Sequence, residues 1–458
     1  MEQRDIKTFL KPGVRAHLMG IGGVSMEPLA EVLFGAGVQV TGSDMKQSEA
    51  TAQLEALGIP VAIGHRAENV AGAELVIRTA AVHDDNPEVQ AARAAGIPVF
   101  ERSQAWGAIM RDYPNALCVA GTHGKTTTTS MCTHIALAAG VDPTVMIGGS
   151  LPILSDRRPK GYRVGKGDTI ILESCEYCNS FLHFFPTVAV ILNIEEDHLD
   201  FFKDLADIQR SFRRFAELVP PGGRVVLNAD DPGAQGIAQG LEPFTFGLEP
   251  GADCTAANLT WEEGLPRFDI VVGGEVLTRV ALQVPGIHNV KNALAAAAAA
   301  VCLGWSGKAV KAGLETFDGA GRRFERLGTC GGAEVYADYA HHPGEIDALL
   351  EAVKPLGYQR VICAFQPHTY TRTKGLFEEF AEALKKADVA VLTDIYAARE
   401  TDDLGVSSKQ LAEAVPGAVY CPTLTDLAGE LRQLAQPGDL ILLVGAGDIY
   451  GVGKVLVE

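Results

Sequence analysis

The stretch that decides the fold of this chain is Leu117-Cys118-Val119-Ala120-Gly121-Thr122-His123-Gly124-Lys125-Thr126-Thr127-Thr128-Thr129. It predicts a short apolar strand, a glycine-containing turn and a helix that begins at Lys-Thr. Such a turn points backbone N–H groups inward, and the helix N-terminus adds partial positive charge. We expect Lys125 to lie along the β- and γ-phosphates of a nucleotide and Thr126 to offer its hydroxyl to magnesium. The match is incomplete, because Val119 stands where the standard phosphate loop has its first glycine.

The simplest alternative for this stretch is a turn that needs glycine only for its backbone conformation. Residues 126–129 are four consecutive threonines, and β-branched residues make a poor helix start. The threonines therefore favour a nucleotide-binding turn over a purely structural one.

Length and composition indicate a globular α/β protein. The 458 residues are enough for two to four domains, and they include 47% hydrophobic residues and 50 glycines. A net charge of −18 argues against a nucleic-acid partner, since a phosphate backbone demands a basic surface. The first residues are charged, and no apolar run approaches the roughly 20 residues that span a bilayer. We therefore expect neither a signal peptide nor a membrane partner.

The nine cysteines are scattered and odd in number, which favours reduced thiols in the cytoplasm over a disulfide framework. Cys175 and Cys178 form a C-x-x-C pair, but a zinc site would need a second pair at suitable spacing. The sequence leaves a monomer and a homodimer as open alternatives.

A second glycine-rich turn follows the first predicted strand, residues 14–19. It is Gly20-Ile21-Gly22-Gly23-Val24-Ser25-Met26, in which a serine replaces the third glycine of a dinucleotide-type turn. Ser43 and Asp44 end the next strand, where an acidic side chain can accept hydrogen bonds from ribose hydroxyls. This motif fits an NAD enzyme, a nucleotide-sugar site or a turn that needs glycine for helix packing. Since it lacks Lys-Thr, two different nucleotide-like ligands on successive domains are the simplest interpretation.

Polar residues follow the predicted strands of the middle segment. Glu173 ends one apolar strand, and Asn193-Ile194-Glu195-Glu196-Asp197-His198-Leu199-Asp200 follows another. Proteins of the α/β class place ligands at the carboxyl ends of parallel strands, so Glu173 and His198 can share a cation with nucleotide oxygens. A solvated loop is the simpler interpretation for most of the other acids in this run.

A long alanine-rich helix is predicted to begin in the run Pro285-Gly286-Ile287-His288-Asn289-Val290-Lys291-Asn292. Asn289 is compatible with a plain N-cap. His288 and Asn292 have no such simple explanation, and both can hydrogen-bond the edge of a heterocycle.

The last third of the chain carries basic and imidazole groups. Arg322 and Arg323 follow two glycines, which predicts a hinge with phosphate-binding guanidinium groups rather than a solvated basic turn. Asp338 ends a predicted strand, and His341 and His342 come just after it. No third zinc ligand is evident at useful spacing, so we expect a role in positioning substrate or in proton transfer.

Together these motifs resemble the Mur ligases of peptidoglycan precursor synthesis. The resemblance is carried, in chain order, by Gly20-Ile21-Gly22-Gly23, Gly121-Thr122-His123-Gly124-Lys125-Thr126-Thr127, Glu173, Asn193-Ile194-Glu195, Asp197-His198, His288-Asn289, Asn292, Gly321-Arg322-Arg323-Phe324, Asp338-Tyr339, His341-His342-Pro343, Gln366-Pro367-His368 and Thr371-Arg372-Thr373. These motifs cover nearly the whole chain, and as a set they are specific.

The resemblance implies an α/β fold of three domains. They are an N-terminal Rossmann-like UDP-sugar domain (1–111), a central ATP-binding domain with a P-loop ATPase-type, mostly parallel sheet (112–319), and a C-terminal Rossmann-like domain that binds the amino acid (320–458). It also implies a cytoplasmic ligase that uses ATP and Mg²⁺. Its expected substrates are UDP-N-acetylmuramate and L-alanine, joined through an acyl phosphate.

The resemblance assigns site residues as well. The expected nucleotide ligands are Gly121, Thr122, His123, Gly124, Lys125, Thr126 and Thr127, with His288, Asn289 and Asn292 at adenine and Arg323 at the γ-phosphate. The expected metal ligands are Thr126, Glu173 and His198. The expected UDP-sugar ligands are Gly20, Gly22, Gly23, Ser43, Asp44, His65 and Thr79. Asp338 is expected to help place the nucleotide, and Arg372 and His341 to lie beside the alanine. Lys125, Glu173, His198, Arg323, Asp338, His341 and Arg372 are the expected catalytic residues.

Two departures from the family pattern and three alternatives remain. The run Ser174-Cys175-Glu176-Tyr177-Cys178 replaces a commoner, more acidic one, and Thr369 stands where many relatives have arginine. Within the family, the alternative is a recycling ligase that adds a tripeptide to the same sugar. Outside it, a nicotinamide-dependent dehydrogenase leaves Lys125 and Thr126 unexplained, and a nucleotide switch protein leaves the polar strand ends of the last domain unexplained.

Overall fold

The computed structural model describes residues 5–79, 81–154, 160–198, 201–398 and 400–457. In these ranges it contains three β-sheets with intervening helices, which confirms the predicted α/β class. None of the helices in these ranges combines the length and apolarity needed to cross a membrane. Leu199 and Asp200, which end one of the acidic runs quoted above, lie outside the described residues.

The chain divides into two compact units. The first contains the described residues of 1–148, 152–255 and 295–313, and the second those of 149–151, 256–294 and 314–458. The three predicted domains, with boundaries after residues 111 and 319, stay a prediction.

The first sheet lies in the first unit and is entirely parallel. Its strands are β1 (Arg15–Met19), β2 (Gln39–Asp44), β3 (Val61–Ile63), β4 (Leu75–Arg78) and β5 (Val99–Glu101), in the order β3-β2-β1-β4-β5. Both faces are buried. Ala16 and Leu18 of β1 pack into one apolar cluster and Met19 into another, as the alternation of side chains along a strand requires. The first glycine turn (residues 20–25) follows β1, so it lies at the carboxyl end of the central strand.

The central sheet contributes further strands, wholly or in part, to the first unit. They are β6 (Asn115–Ala120), β7 (Thr144–Leu151), β8 (Lys160–Arg163), β9 (Thr169–Glu173), β10 (Val188–Ile191), β11 (Arg224–Asn228), β12 (Phe244–Gly247) and the start of β13 (Cys254–Glu262). β6 pairs with β10 on one side and β9 on the other. The phosphate loop (residues 121–126) therefore leaves a central strand, with the ends of β9 and β10 beside it.

The second unit contains the rest of β13, the antiparallel pair β14 (Leu265–Val272) and β15 (Glu275–Ala281), and the third sheet. That sheet consists of β16 (Glu325–Cys330), β17 (Ala333–Asp338), β18 (Arg360–Phe365), β19 (Val389–Thr393), β20 (Val419–Cys421) and β21 (Asp439–Val444), in the order β16-β17-β21-β18-β19-β20. All its pairings are parallel except β16 with β17. Apolar clusters cover both faces.

The helices follow the strands in the alternation expected of α/β units. They are α1 (Glu27–Gly35), α2 (Glu49–Ala56), α3 (Pro87–Ala94), α4 (Arg102–Met110), α5 (Lys125–Ala138), α6 (Leu205–Ala216), α7 (Pro232–Gln235), α8 (Ile287–Cys302), α9 (Gly307–Thr316), α10 (Pro343–Val353), α11 (Tyr370–Gly375), α12 (Phe377–Leu384), α13 (Ser408–Ala414), α14 (Leu424–Leu434) and α15 (Tyr450–Leu456). Short 3₁₀ helices cover Ile6–Thr8, Ala67–Val70, Pro152–Leu154, Tyr177–His183 and Lys354–Leu356.

Candidate active site

The phosphate loop has the strand–turn–helix geometry that its sequence predicts. Gly124 has φ +83° immediately before α5, a conformation that favours glycine. Gly121 has φ +150°, and a Cβ atom there would lie 2.8 Å from Cβ of Leu192 on the neighbouring strand end. Both glycines are therefore needed for the backbone path, and Val119 lies within β6 rather than in the turn.

The ammonium group of Lys125 lies inside the loop. Its Nζ donates to the carbonyl oxygens of Gly121 at 2.5 Å and Thr122 at 3.1 Å. It also pairs with the carboxylate of Glu176 at 3.0 Å, and Glu176 is almost fully buried. Burial by itself would lower the pKa of Lys125, but the neighbouring carboxylates outweigh it, Glu176 most of all, and raise that pKa above its usual value. The loop thus carries a permanent positive charge.

Thr126 and Glu173 meet beside this cation. The Thr126 hydroxyl donates to Oε1 of Glu173 at 3.2 Å, and the backbone N–H of Gly148 donates to Oε2 at 2.6 Å. Within the described ranges no group of three or more His, Cys, Asp or Glu side chains is arranged to hold a metal ion. One hydroxyl and one carboxylate still suit magnesium, which is usually held by one or two carboxylates together with substrate phosphates and water.

Asn193, at the end of β10, fixes the tip of the loop. Its carbonyl oxygen accepts from Thr122 N–H at 3.1 Å, and its side-chain oxygen accepts from His123 N–H at 2.7 Å. Its amide donates back to the carbonyl oxygen of His123 at 3.1 Å. The sequence singled out the end of β10 for its acidic residues. In the structure it is the asparagine at that strand end that supports the phosphate loop.

His198 lies in the same neighbourhood with a strained backbone, at φ +54°. Its ring contacts that of Tyr177, with 4.7 Å between centroids, and its Nε2 is 3.7 Å from Oε1 of Glu176. The structure therefore gathers Lys125 and His198 around one carboxylate.

Glu176 is a residue that sequence reasoning missed as part of the site. It stands three residues after Glu173, in the run that departs from the family pattern, and no local pattern pairs it with Lys125. The signal that was available is its position just beyond the end of a buried parallel strand.

The threonines at the start of α5 form a regular helix because their hydroxyls bond within it. Thr129 Oγ1 donates to the carbonyl oxygen of Lys125 at 2.7 Å, and Ser130 and Thr133 make the same contact four residues back at 2.8 Å. Thr127 lies in the first turn of α5.

The first glycine turn is held to the end of β2. The N–H groups of Gly20 and Ile21 donate to the carbonyl oxygen of Ser43 at 2.8 and 3.0 Å, and Gly22 N–H donates to Oδ2 of Asp44 at 3.0 Å. The structure thus brings together four of the predicted sugar-site residues, Gly20, Gly22, Ser43 and Asp44, at the ends of two neighbouring strands. Asp44 bonds the turn itself.

Gly20 and Thr79 are also neighbours. Gly20 has φ +70°, and a Cβ atom there would lie 2.8 Å from Cγ2 of Thr79, which follows β4. Gly23 N–H donates to the carbonyl oxygen of Gly20 at 3.0 Å, which closes the turn.

A buried carboxylate, Glu88, supports the first glycine turn through Ser43. It accepts from the Ser43 hydroxyl at 2.7 Å and from the Asn69 amide at 2.5 Å, and it pairs with His65 at 3.1 Å and His17 at 3.5 Å. Burial by itself would raise the pKa of Glu88, but the hydrogen bonds from His17, Ser43 and Asn69 outweigh it and lower that pKa to about 2. Ser43 is fully buried, so its hydroxyl positions the turn. Sequence reasoning missed Glu88.

In the second unit, the predicted adenine ligands lie at the start of α8. The helix begins at Ile287, so the possible role of Asn289 as an N-cap is wrong. Its amide instead donates to the carbonyl oxygen of Pro285 at 2.7 Å, and Asn292 donates to Asn289 Oδ1 at 3.2 Å. Burial lowers the pKa of His288 to about 4, so its ring is neutral at pH 7.

The two paired arginines have different surroundings. The Arg322 guanidinium donates to the carbonyl oxygens of Gly445 and Gly447 at 3.0 and 2.7 Å, so it secures the loop after β21. Arg323 is 3.9 Å from the carboxylate of Glu345. Of the pair, Arg323 is therefore the better candidate for a phosphate ligand.

Asp338 ends β17 and accepts two backbone N–H groups. Its Oδ2 accepts from Phe324 and its Oδ1 from Ala340, each at 2.8 Å. Burial raises the pKa of Asp338, opposed by Arg323 and by these two hydrogen bonds. The carboxylate thus fixes the backbone just beyond Arg323.

His341, His368 and Arg372 form one cluster. The rings of His341 and His368 are 6.0 Å apart, and Arg372 Nη1 is 3.3 Å from Nδ1 of His368. His341 Nδ1 is 3.0 Å from the carbonyl oxygen of Tyr339. Burial is the main cause that lowers the pKa of each histidine to about 4. Both imidazoles are therefore neutral at pH 7.

Family models match the chain in three consecutive segments. Residues 15–114 match the model described as "Mur ligase family, catalytic domain", residues 119–300 the "Mur ligase middle domain", and residues 322–447 the "Mur ligase, glutamate ligase domain". Each segment contains one of the three sheets or most of it.

Full-length relatives agree with these models. A UDP-N-acetylmuramate–L-alanine ligase of Acetivibrio thermocellus is 45% identical over 96% of this chain and 95% of its own, and one of Clostridium novyi is 44% identical over 98% and 99%. The crystal structure of the UDP-N-acetylmuramate-alanine ligase MurC from Thermotoga maritima superimposes with a TM-score of 0.81 at 30% identity, covering 96% of this chain and 98% of that one. The chain therefore belongs to the Mur ligase family.

Proposed function

We propose that this protein is an ATP-dependent ligase that joins L-alanine to the lactoyl carboxylate of UDP-N-acetylmuramate. The products are UDP-N-acetylmuramoyl-L-alanine, ADP and phosphate, and the reaction belongs to peptidoglycan precursor synthesis. One observation carries the proposal. It is the geometry of the phosphate loop, in which Lys125 lies 3.0 Å from Glu176 and Thr126 lies 3.2 Å from Glu173. The full-length relatives of this chain are named as ligases of that kind.

In the first step, a lactoyl carboxylate oxygen attacks the γ-phosphorus of ATP, and the bond from that phosphorus to the ADP oxygen breaks. Such a transfer needs positioning and neutralisation of charge more than covalent help from the protein. Lys125 supplies a positive charge at the phosphates. Thr126, Glu173 and His198 are the residues proposed to hold magnesium, which would neutralise further phosphate charge when bound. Arg323 is proposed to reach the γ-phosphate.

In the second step, the alanine amine attacks the acyl carbon, the bond from that carbon to the phosphate oxygen breaks, and the amine loses a proton. A base must be unprotonated to take it. His341 meets this condition, because burial lowers its pKa to about 4. Arg372 is proposed to bind the alanine carboxylate, and Asp338 to place the nucleotide.

The remaining assignments belong to the same proposal. His288, Asn289 and Asn292 are proposed to contact adenine, and residues 20–23 with Ser43, Asp44, His65 and Thr79 to form the UDP-sugar site. All nine cysteines are free thiols, which supports a cytoplasmic enzyme. We propose a monomer or a homodimer.

A phosphate-release assay with UDP-N-acetylmuramate and a panel of acceptors tests the proposal. We expect release that requires both ATP and the sugar nucleotide and is fastest with L-alanine, and a product heavier than the sugar nucleotide by one alanine residue. The panel includes glycine, L-serine and the tripeptide L-Ala-γ-D-Glu-meso-diaminopimelate. Turnover with the tripeptide but not with alanine would transfer the chain to the recycling branch, and the absence of acceptor-dependent release would refute ligase activity.

A further inference from the structure

The backbone of the first glycine turn is already occupied. Gly20 and Ile21 donate to the carbonyl oxygen of Ser43, Gly22 to the Asp44 carboxylate, and Gly23 to the carbonyl oxygen of Gly20. These four N–H groups are therefore not free to bind an anion. A phosphate group bound here must therefore find most of its positive partner outside residues 20–23.

A cation from a distant part of the chain reaches this turn. Arg102 is the first residue of α4, and its guanidinium donates to the hydroxyl of Ser25, 77 residues earlier. One helical turn later, Trp106 Nε1 donates to the carbonyl oxygen of Ser25 at 3.1 Å. Ser25, which replaces the third glycine of the motif, is thus the point where α4 is fixed to the turn.

Arg102 has no carboxylate partner among the residues that the structure describes. The carboxylate of its neighbour Glu101 pairs instead with Arg78, at 2.8 Å. Arg111, at the other end of the same helix, pairs with Asp5 at 2.8 Å. Burial lowers the pKa of Arg102. Arg102 is half-buried, and a partly desolvated cation without a counter-ion is costly to the free protein. Guanidinium groups suit phosphate oxygens.

We propose that Arg102 is the cation that binds the diphosphate of the UDP-sugar at the first glycine turn, with Ser25 as its positioning residue. This inference rests on the proposed function, since it assigns the charge of the substrate named there. The contact with Ser25 places the guanidinium beside the turn that precedes α1, and the N-terminus of α1 adds partial positive charge.

The alternative anion is the lactoyl carboxylate of the same substrate. This carboxylate is the second anionic group of the substrate, and a guanidinium group suits a carboxylate as well as a phosphate. The experiment must therefore separate diphosphate from carboxylate.

Calorimetric titration of Arg102→Gln and Arg102→Lys with three probes does this. UDP-N-acetylmuramate has both anionic groups, UDP-N-acetylglucosamine has the diphosphate without the lactoyl carboxylate, and uridine has neither. For Arg102→Gln we expect both UDP-sugars to bind about 10- to 100-fold more weakly and uridine to bind as to the unmodified protein. Arg102→Lys keeps the charge and should recover part of the loss. Ser25→Ala should weaken both UDP-sugars by a smaller factor.

Arg111→Gln is the matched control, because it removes an arginine from the other end of α4 that already has a carboxylate partner. It should leave all three affinities unchanged. A loss confined to UDP-N-acetylmuramate would assign Arg102 to the carboxylate and overturn the inference, as would equal affinities in Arg102→Gln and the unmodified protein. If the unmodified protein bound neither UDP-sugar, the proposed function would fail as well, so the two failures are distinguishable.

Discussion

The two glycine turns of the first unit have the same strand–turn–helix form but opposite electrostatics. In the phosphate loop, the ammonium of Lys125 sits among the carbonyl oxygens of Gly121 and Thr122. In the first glycine turn, the backbone N–H groups are consumed by Ser43 and by the Asp44 carboxylate. The N–H groups of Gly20, Ile21 and Gly22 are therefore not available to an anion, whereas the phosphate loop carries the ammonium group of Lys125.

The difference shows where each turn obtains its cation. The phosphate loop carries its lysine at the first residue of the following helix, next to the last glycine. The first turn is approached by Arg102, which lies 77 residues from the serine it contacts. A triphosphate with a metal ion fits the phosphate loop. A diphosphate held by one guanidinium group fits the first glycine turn.

Lys125→Ala is the largest change that this comparison predicts. It should lower acceptor-dependent phosphate release about 1,000-fold, since removing one preorganised electrostatic group from a phosphoryl-transfer site typically costs two to three orders of magnitude. Binding of UDP-N-acetylmuramate should stay within about twofold, because the first turn does not use this cation. Both are measured on the same preparation, by a phosphate assay and by calorimetry.

Lys203→Ala, an exposed lysine of the same unit, serves as the control for a general loss of charge. Near-normal turnover of Lys125→Ala would contradict the assignment of the phosphate loop. Loss of UDP-sugar binding in that variant would show that the two turns do not act separately.

Glu176→Gln should have the next largest effect, on stability. It leaves Lys125 buried without its closest carboxylate, and breaking one side of such a pair costs about 3 kcal/mol. Added ADP brings phosphate charge to the lysine. ADP should therefore raise the free energy of unfolding more in Glu176→Gln than in the unmodified protein. Urea unfolding with and without ADP measures both quantities.

The control for this variant is Glu217→Gln, which breaks the surface pair with Arg213. Exposed pairs of this kind contribute only about 0.5 kcal/mol, so its unfolding curve should barely move. If ADP stabilised Glu176→Gln and the unmodified protein equally, the carboxylate of Glu176 would not be the substitute for phosphate charge beside Lys125.

Sequence reasoning succeeds here where the chemistry is local. The glycines, Lys125 and Thr126 are consecutive, and Glu173 and Asp338 can be found because buried parallel strands end there. The third glycine of the first turn could be recognised as missing, since Ser25 occupies its place.

Contacts between distant residues explain what sequence reasoning missed. Glu176 meets Lys125 across 51 residues, Glu88 meets Ser43 across 45, and Arg102 meets Ser25 across 77. Each pair depends on the order of the strands in the sheet, and no periodicity of the sequence encodes that order. The position of Asn289 was missed for a different reason, because helix boundaries are uncertain by one or two residues without the backbone.

Acid should destabilise the support of the first turn. The pKa of Glu88 is about 2 in the folded protein and 4.5 ordinarily, so its stabilising contribution is present above pH 4.5 and is lost as the pH falls toward 2. Glu88→Gln should therefore lower the free energy of unfolding by about 2 kcal/mol at pH 7, and this difference should shrink below pH 4.5. Urea unfolding at pH 3.5, 5 and 7 measures it.

The phosphate loop should show the opposite dependence. The pKa of Lys125 is raised above its ordinary 10.5, so the contribution of its charge is complete below that pH and is lost only as the pH rises through the folded value.

The control for Glu88→Gln at pH 7 is Glu55→Gln, an exposed change on α2. A constant difference between Glu88→Gln and the unmodified protein from pH 7 to pH 3.5 would show that the charge of Glu88 does not support the turn.

The smallest predicted effect concerns Asp44, and it decides whether the acid of the first turn acts by charge or by geometry. Asp44→Asn keeps an oxygen that can accept from Gly22 N–H, so we expect a stability change below about 1 kcal/mol and a two- to fivefold change in affinity for UDP-N-acetylmuramate. Asp44→Ala leaves that N–H without its acceptor and should cost about 1–3 kcal/mol. If Asp44→Asn lost as much stability and as much affinity as Asp44→Ala, the turn would depend on the negative charge of Asp44 itself. The contrast between the first glycine turn and the phosphate loop would then depend on Asp44 as much as on Arg102.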